Sequence, residues 1–347
     1  MIDEKFSKIF QEVLEKIAPS EEENLQRKEI AKEIIRKIND FGYNAEIVGS
    51  LAKNTNLKDD FDIDIFVKFP PGTDKKILGE KVIEIGMKIL ENPEVDYAEH
   101  PYIKGKFKNY DIEIVPCYDF GNEIFGKFKS IATAVDRTLY HTKFVKEEIE
   151  KNKNLRNEIL LLKKFLKGIN VYGAEGKIRG FSGYLAELLI IYYGSFLNLL
   201  KNASSWKYNE FIDIKNYWKG KGKILFKDPL VVIDPVDDTR NVASAVSEEN
   251  LAKFIFYSRL FLENPSIKFF ENIEEEEEIK TEELINLMKE RGTKFLSVVF
   301  NHGKINLNNL YTQLEKTRKA LIKSIERYEF KILNSAIMSN EKNLSII

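Results

Sequence analysis

The segment 61–68, FDIDIFVK, constrains the fold more than any other part of the chain. Its polar and apolar residues alternate with a period of two, as a half-buried β-strand requires: Phe61, Ile63, Ile65 and Val67 face one way, and Asp62, Asp64 and Phe66 the other. A second alternating segment at 110–115, YDIEIV, buries Tyr110, Ile112 and Ile114 and leaves Asp111 and Glu113 opposite. Two carboxylates thus share one face of the first strand, and a neighbouring strand can aim a third at them. Like charges this close raise one another's pKa unless a divalent cation sits among them, and oxygen ligands of this kind select hard cations such as Mg2+.

Upstream, Gly49-Ser50 ends a short apolar strand, with 11 residues between Ser50 and Asp62. A turn of this kind lets backbone N–H groups and a hydroxyl approach a phosphate closely. A Gly-Ser dipeptide alone means nothing, and D-x-D alone is common by chance. Together, as a phosphate turn, a carboxylate pair and a third carboxylate on strands, they describe a site for a metal and a polyphosphate. Two amphipathic strands whose acidic faces merely meet water would leave the preceding turn unexplained.

The rest of the chain sets the context. Its 347 residues carry 54 basic and 55 acidic groups, are 43% hydrophobic and include one Cys, which excludes collagen, disulfide scaffolds and wholesale disorder. The length predicts two or three domains. A lone Cys117 forms neither an internal disulfide nor a multi-Cys zinc cage, and with only three His the chain reads as a protein of the reducing cytoplasm. The charged first residues lack the apolar middle of a secretory signal. Segment 184–200 is shorter than the ~20 residues a membrane span needs and contains Glu187 and Asn198, so it reads as a buried core helix, and no membrane partner is expected.

Charge is unevenly distributed. Residues 1–142 hold 21 basic and 27 acidic groups, 143–240 hold 18 and 12, 241–303 hold 7 and 12, and 304–347 hold 8 and 4. Clustered lysine and arginine suit phosphate backbones and clustered carboxylates suit metal ions, so the alternation fits a protein with both tasks; chance segregation on solvated faces would give the same counts. Helical spacing in the first residues, and a Ser20-to-Glu23 capping box opening a second helix, place two helices before the first strand. Another helix is expected at 74–91, and 143–264 reads as mostly α. Pro265 and the five glutamates of 274–278, read as solvated, mark a boundary. Beyond it the expectation is a helix at 281–291, a strand at 295–300, a long helix at 308–328 and a final strand at 330–338. On the last helix Lys316, Lys319, Lys323 and Arg327 form a charged stripe that can follow an RNA backbone or simply meet solvent.

At GSLAKNT followed by DFDID the chain resembles the nucleotidyltransferase superfamily of DNA polymerase β. YAEHPYIKG, DIEIVPCY, AVDRTLYH, YGAEGKIRGFSGYLAELLIIYYGSF and DPVDDTRNVA are similar to the archaeal, class I CCA-adding enzymes, in family order across about 40–260 and more weakly to about 335. The resemblance implies an α+β multidomain protein. It would comprise a nucleotidyltransferase head with a mixed sheet and helices (1–142), a helical neck binding the nucleotide base and triphosphate (143–264), and a small α+β body binding tRNA (265–347). Family members continue past the point equivalent to Ile347 into a tail domain, so that tail is expected to be absent or shortened. The implied reaction adds C, C and A to the 3' end of tRNA from CTP and ATP, by phosphoryl transfer with two Mg2+ ions.

Residue by residue, the resemblance makes Asp62 and Asp64 catalytic metal ligands, with Glu113 where Asp is usual. Gly49 and Ser50 would meet the phosphates, and Lys53 stands where Arg is usual, keeping the charge but losing the bidentate fork. Lys163 and Tyr172 would hold the triphosphate, and His100, Thr138 and His141 would line the sugar and phosphate side. Arg240 would read the base edge, with Asp237 nearby as an acceptor. Other readings are a poly(A) polymerase, a nucleotide second-messenger synthase of the same superfamily, or a non-catalytic RNA-binding relative. The sequence does not fix the oligomeric state; a homodimer is compatible with it.

Overall fold

The computed structural model describes residues 2–97, 100–121, 135–272, 280–303 and 305–347; the glutamate run at 274–278 lies outside them. The chain opens with α1 (Ile2–Ile17) and α2 (Glu21–Asp40). The capping box forms as the sequence predicts: the Glu23 amide donates to Ser20 Oγ at 3.1 Å and the Ser20 amide to Glu23 Oε2 at 2.7 Å, satisfying two otherwise unpaired donors.

The first sheet contains β1 (Asn44–Ile47), β2 (Asp62–Phe69), β3 (Glu91–Tyr97), β4 (Pro101–Phe107) and β5 (Tyr110–Tyr118), in the order β1-β2-β5-β4-β3. β2 and β5 run parallel and the other pairs antiparallel. α3 (Gly49–Lys53) is a short helix between β1 and β2, and α4 (Lys75–Ile89) connects β2 to β3. Ile34 and Ile38 of α2 and Leu78, Val82 and Ile85 of α4 pack on Ile63, Ile65, Ile103, Ile112 and Ile114, covering one face of the sheet. Period-two alternation therefore leaves Asp62, Asp64, Asp111 and Glu113 on the other face. β3 and β4 were not legible in the sequence: Pro93, Gly105 and a register shift between Glu91 and Glu94 interrupt their pattern.

The second unit contains α5 (Arg137–Lys151), α6 (Leu155–Gly168), α7 (Gly183–Tyr193), α8 (Phe196–Ala203) and α9 (Glu248–Glu263). Phe165 of α6 is fully buried among the rings of Phe196, Phe254, Phe261, Phe269 and Phe270, at 5.4 to 6.4 Å between centroids. Two features depart from the sequence reading. The segment 184–200 is not one helix but α7 and α8, bent by 92°. Gly194 adopts φ +78°, a left-handed cap that a residue with a side chain rarely takes, and Ser195 then caps α8 by accepting from the Asn198 amide. No single helix among the described residues is long and apolar enough to cross a membrane. The unit also holds a three-stranded sheet of β6 (Glu210–Asp213), β7 (Leu230–Asp234) and β8 (Asp237–Asn241), missed because its strands are only four or five residues long.

α1, which the sequence reading assigned to the first unit, packs into the second: Phe6 and Phe10 lie 5.7 and 6.3 Å from Phe261. Its apolar stripe specifies burial, not which core receives it. The third unit has α10 (Thr281–Arg291), β9 (Val299–Asn301), α11 (Leu307–Glu326), β10 (Met338–Ser339) and β11 (Leu344–Ile346). The expected strands shrink or move. β11 is central, between β10 and β9, and residues 330–337 are not in a strand. Hydrogen-bond partners, rather than local apolar residues, decided those limits.

Truncating Phe165 to Ala would remove the ring around which the helical core is organised. Phe165→Ala is expected to lower unfolding free energy by about 3–5 kcal/mol, measured by urea denaturation.

Candidate active site

The parallel register of β2 and β5 sets Asp64 beside Glu113 and Asp62 beside Asp111. Burial, reinforced by Asp62, pushes Asp64 up to about 6 against the opposing pull of Lys53. Burial, with Asp64 and Asp62 adding to it, pushes Glu113 up to about 7. Asp62 is also raised, by burial and then by Asp60 and Asp111. Asp111 itself forms an exposed ion pair with Lys106 at 2.9 Å. A cleft of about 380 Å3 opens alongside, lined by Asp62, Glu113 and Lys104 among others.

Among the described residues no three carboxylate, His or Cys side chains close around a common point, so the acidic group is an open cradle and not a finished cage. That suits a small divalent cation. Mg2+ commonly takes one or two carboxylates and completes its shell with water and substrate phosphates. Burial first, and repulsion between neighbouring carboxylates second, raises these carboxyls, and a divalent ion among them would relieve both.

The turn after β1 approaches this cradle. Gly49 has φ +69°, and a Cβ there would strike the Asp64 carboxylate, so both backbone shape and space require glycine. The Val48 amide donates to the Asp64 carbonyl at 3.0 Å, tying turn to strand. Ser50 follows in the first turn of α3, half-buried.

Lys53, at the other end of α3, is buried and donates to Glu187 Oε2 at 2.6 Å. Lys163, 2% exposed, donates to Glu187 Oε1 at 3.1 Å, the Thr55 carbonyl at 2.9 Å and Thr55 Oγ1 at 3.2 Å. Thr55 Oγ1 in turn donates to Glu187 Oε1 at 2.6 Å. Burial would raise Glu187, but the two ammonium groups and the hydroxyl hold it down, at about 2. Two lysines and one carboxylate thus leave one excess positive charge beneath the Gly49 turn. At Gly183, the first residue of α7, a Cβ would meet the Tyr172 hydroxyl, whose pKa is raised by burial, and would come within 4 Å of the end of Lys163 from α6.

A second node surrounds Asp234, which is fully buried. Its Oδ2 accepts from Arg240 Nη1 at 2.8 Å and lies 2.8 Å from His141 Nε2; its Oδ1 accepts from the Tyr184 hydroxyl and the Val236 amide, each at 3.1 Å. The His141 ring stacks on Tyr184 at 4.0 Å, and burial holds its pKa below the usual value despite Asp234. Asp234, not Asp237, is therefore the acceptor for Arg240. Residues three apart on a strand face opposite ways, and Asp237 pairs instead with Arg137 at 3.3 Å.

His100 is 2% exposed, edge-on to Tyr118, and neither ring nitrogen has a partner among the described residues. Thr138 sits half-buried in the first turn of α5. Lys316, Lys319, Lys323 and Arg327 are exposed on and just beyond α11, in the third unit, with Lys319 3.5 Å from Glu315. Glu187 and Asp234 were not singled out as site residues from the sequence. The available signal was a carboxylate inside an otherwise apolar helix, and one ending the wholly apolar run of β7.

The carboxylates give the metal-free protein a distinctive pH response. Asp64 and Glu113, raised in the folded state, favour folding only while protonated; that contribution is whole below about pH 4 and is lost as pH rises through about 6 to 7. The Asp64→Asn, Glu113→Gln variant is therefore expected to gain roughly 5 kcal/mol over the parent between pH 4 and 7.5 in a chelator, by denaturant titration. Added Mg2+ is expected to shrink that gap.

Three family models match the chain: "Nucleotidyltransferase domain" over 27–155, "tRNA nucleotidyltransferase, second domain" over 157–271, and "CCA-adding enzyme, C-terminal domain" over 291–347. The CCA-adding enzyme of Archaeoglobus fulgidus is 41% identical over 338 residues, covering 97% of this chain and 74% of that protein. That of Methanocaldococcus jannaschii is 41% identical over 366 residues, covering 98% and 77%. The chain spans about three quarters of the length of these relatives. Among solved structures, a cytoplasmic RNA terminal U-transferase matches with a TM-score of 0.61 at 14% identity, covering 77% of this chain and 98% of that one. CdnC of E. coli MS115-1 with ATP matches with a TM-score of 0.55 at 18% identity, covering 76% and 94%. These two share the polymerase β-like nucleotidyltransferase fold of the head and its helical partner. With the carboxylate strands, the glycine turn and all three family segments in order, the chain belongs to the CCA-adding enzymes, the tRNA nucleotidyltransferases of the polymerase β-like superfamily.

Proposed function

We propose that the head and neck carry out template-independent addition of C, C and A to the 3' end of tRNA, from CTP and ATP with release of pyrophosphate, in the cytoplasm. The observation that carries this reading is the in-register Asp64–Glu113 pair facing the Gly49 turn, in a chain of this family. Asp62, Asp64 and Glu113 would hold two Mg2+ ions, which when bound supply Lewis-acid activation of the 3'-hydroxyl and neutralise charge on the leaving pyrophosphate.

The remaining work falls to the chain's own side chains. The backbone at Gly49 and the Ser50 hydroxyl orient the triphosphate. Lys53 and Lys163, fixed by Glu187, supply positive charge from a buried position where screening is weak. Tyr172 adds a hydroxyl donor beside Lys163. His100, Thr138 and His141 line the sugar and phosphate side, and burial favours neutral His141, so that ring contributes shape and a hydrogen bond rather than charge.

Arg240 reads the base edge. Its Nη1 is committed to Asp234, so its other N–H groups present a fixed pattern of donors. A base that leaves fixed donors unsatisfied is rejected, because desolvation is then uncompensated. The RNA approaches from the basic side, with Lys316, Lys319, Lys323 and Arg327 on its backbone.

Purified protein with tRNA lacking CCA, Mg2+, CTP and ATP is expected to extend the RNA by CCA, read on a sequencing gel with each nucleotide alone and together. Extension with no RNA requirement, or a long homopolymer, would point to the other superfamily activities. Asp62→Asn or Asp64→Asn is expected to lower transfer at least a thousandfold while tRNA affinity changes by less than about threefold.

Arg240→Ala is expected to lower the preference for CTP and ATP over UTP and GTP by about a hundredfold, measured as ratios of kcat/KM. Asp234→Asn, which keeps the shape but loosens the guanidinium, is expected to lower it by about tenfold.

A further inference from the structure

The stretch 207–227, between α8 and β7 and including β6, is strongly basic and left unused by the reaction. It carries Lys207, Lys215, Lys219, Lys221, Lys223 and Lys227 against Glu210 and Asp213. All six lysines are exposed, and none forms an ion pair among the described residues. The head behaves differently: Lys76, Lys81, Lys88, Lys104, Lys106 and Lys108 each sit within 4.0 Å of a carboxylate. Lys215 lies over the Phe144 ring at 5.0 Å, and the other five have no charged or aromatic partner among the described residues. Uncompensated charge of one sign on one loop raises the self-energy of the fold unless a polyanion shares it.

Charge is accompanied by exposed apolar surface. Tyr217, Trp218, Ile224 and Leu225, with Lys219 and Lys221, line an open cleft of about 530 Å3. Ile224 and Leu225 are 74% and 64% exposed. The Tyr217 hydroxyl donates to the Pro235 carbonyl at 2.6 Å, and Trp218 Nε1 donates to the Asp238 carbonyl at 2.7 Å. The polar tips of both rings are thus anchored to the β7–β8 hairpin, one within the reversal between Asp234 and Asp237 and one just beyond it, on the strand that carries Arg240. Those two hydrogen bonds tie the cleft to the hairpin that carries Arg240.

An occupant must be anionic and must also present flat apolar surface. Duplex RNA offers phosphates but keeps its bases stacked inside, and a second copy of this chain would need an acidic apolar face against the loop. Unpaired RNA offers both properties, since phosphates meet lysine while exposed bases stack on aromatic and aliphatic side chains. We propose that the 207–227 platform holds the unpaired 3'-terminal nucleotides of the RNA substrate against the β7–β8 hairpin. This rests on the reading of the chain as a tRNA nucleotidyltransferase and assigns to this loop a grip on the RNA separate from the stripe on α11.

The chain has two tryptophans, Trp206 being only 6% exposed, so Trp218 is a local reporter. The full chain is titrated with a short unpaired RNA ending in ACC, and with a blunt RNA hairpin of equal charge. Parent, Trp218→Phe and Lys219→Ala/Lys221→Ala/Lys223→Ala proteins are compared by fluorescence and by binding across salt concentrations. For the unpaired RNA, quenching that disappears in Trp218→Phe is expected. The triple variant is expected to lose about tenfold in affinity, with a salt slope shallower by about 2. Sedimentation velocity follows self-association in the same samples.

If CCA addition and tRNA binding proceed while the triple variant keeps its affinity and slope, the platform is refuted and the enzyme reading stands. Equal losses for the blunt hairpin, or a change in self-association in place of RNA binding, also refute it. If the parent extends no RNA yet shows the quenching and the altered slope, the platform stands as an RNA site and the enzyme reading fails.

Discussion

The buried carboxylate of Glu187 is the interaction on which the rest depends. It lies on α7 of the neck and binds Lys53 of the head and Lys163 of α6, with the Thr55 hydroxyl completing its shell. Removing one partner from such a group leaves an uncompensated charge in a dry interior, which typically costs about 3–5 kcal/mol. The head and neck are therefore joined next to the Gly49 turn. With the Lys167–Asp60 ion pair at 2.8 Å and the Arg156 Nε donation to the Asn54 carbonyl at 2.9 Å, that link sets the Gly49 turn and the acidic strands against Tyr172, His141 and Arg240, all supplied by the other unit.

Charge in the site follows from this arrangement. One wall holds carboxylates whose pKa values are raised by burial and then by one another, the other an ion triad with one positive charge in excess. On the proposed function, a nucleoside triphosphate accompanied by divalent cations would satisfy both, the metals facing the carboxylates and the phosphates lying in the field of the lysines. Glu113 in place of the usual Asp is accommodated in register with Asp64, and Asp111 is occupied by Lys106. The Asp234 node repeats the same device: a buried carboxylate, fully bonded, holds a cation in one orientation.

Much of the head was legible in advance. Alternation placed Asp62, Asp64 and Glu113 on one face, because strand geometry leaves no other choice, and the capping box located the start of α2. The helices α6, α9, α10 and α11 were visible from apolar spacing. What was not legible depended on partners distant in sequence. β3 and β4 exist because β5 offers an edge to pair with, and the strands of the third unit settled around β11 and not where local apolar residues suggested. The break between α7 and α8 was signalled by Gly194-Ser195, a stop followed by a start, but an unbroken apolar run outweighed it.

Local sequence by itself determined the carboxylate face, the glycine that must approach Asp64, and the family to which the motifs belong, because these follow from side-chain periodicity and from conformations only glycine adopts easily. Tertiary structure alone decided that α1 joins the helical core, that Glu187 binds two lysines from different units, and that Arg240 is held by Asp234 and not Asp237. Each of those outcomes turns on which buried charges or apolar faces meet across space. Burial makes such pairings obligatory, but a linear sequence records only that a partner is needed, not which residue it will be.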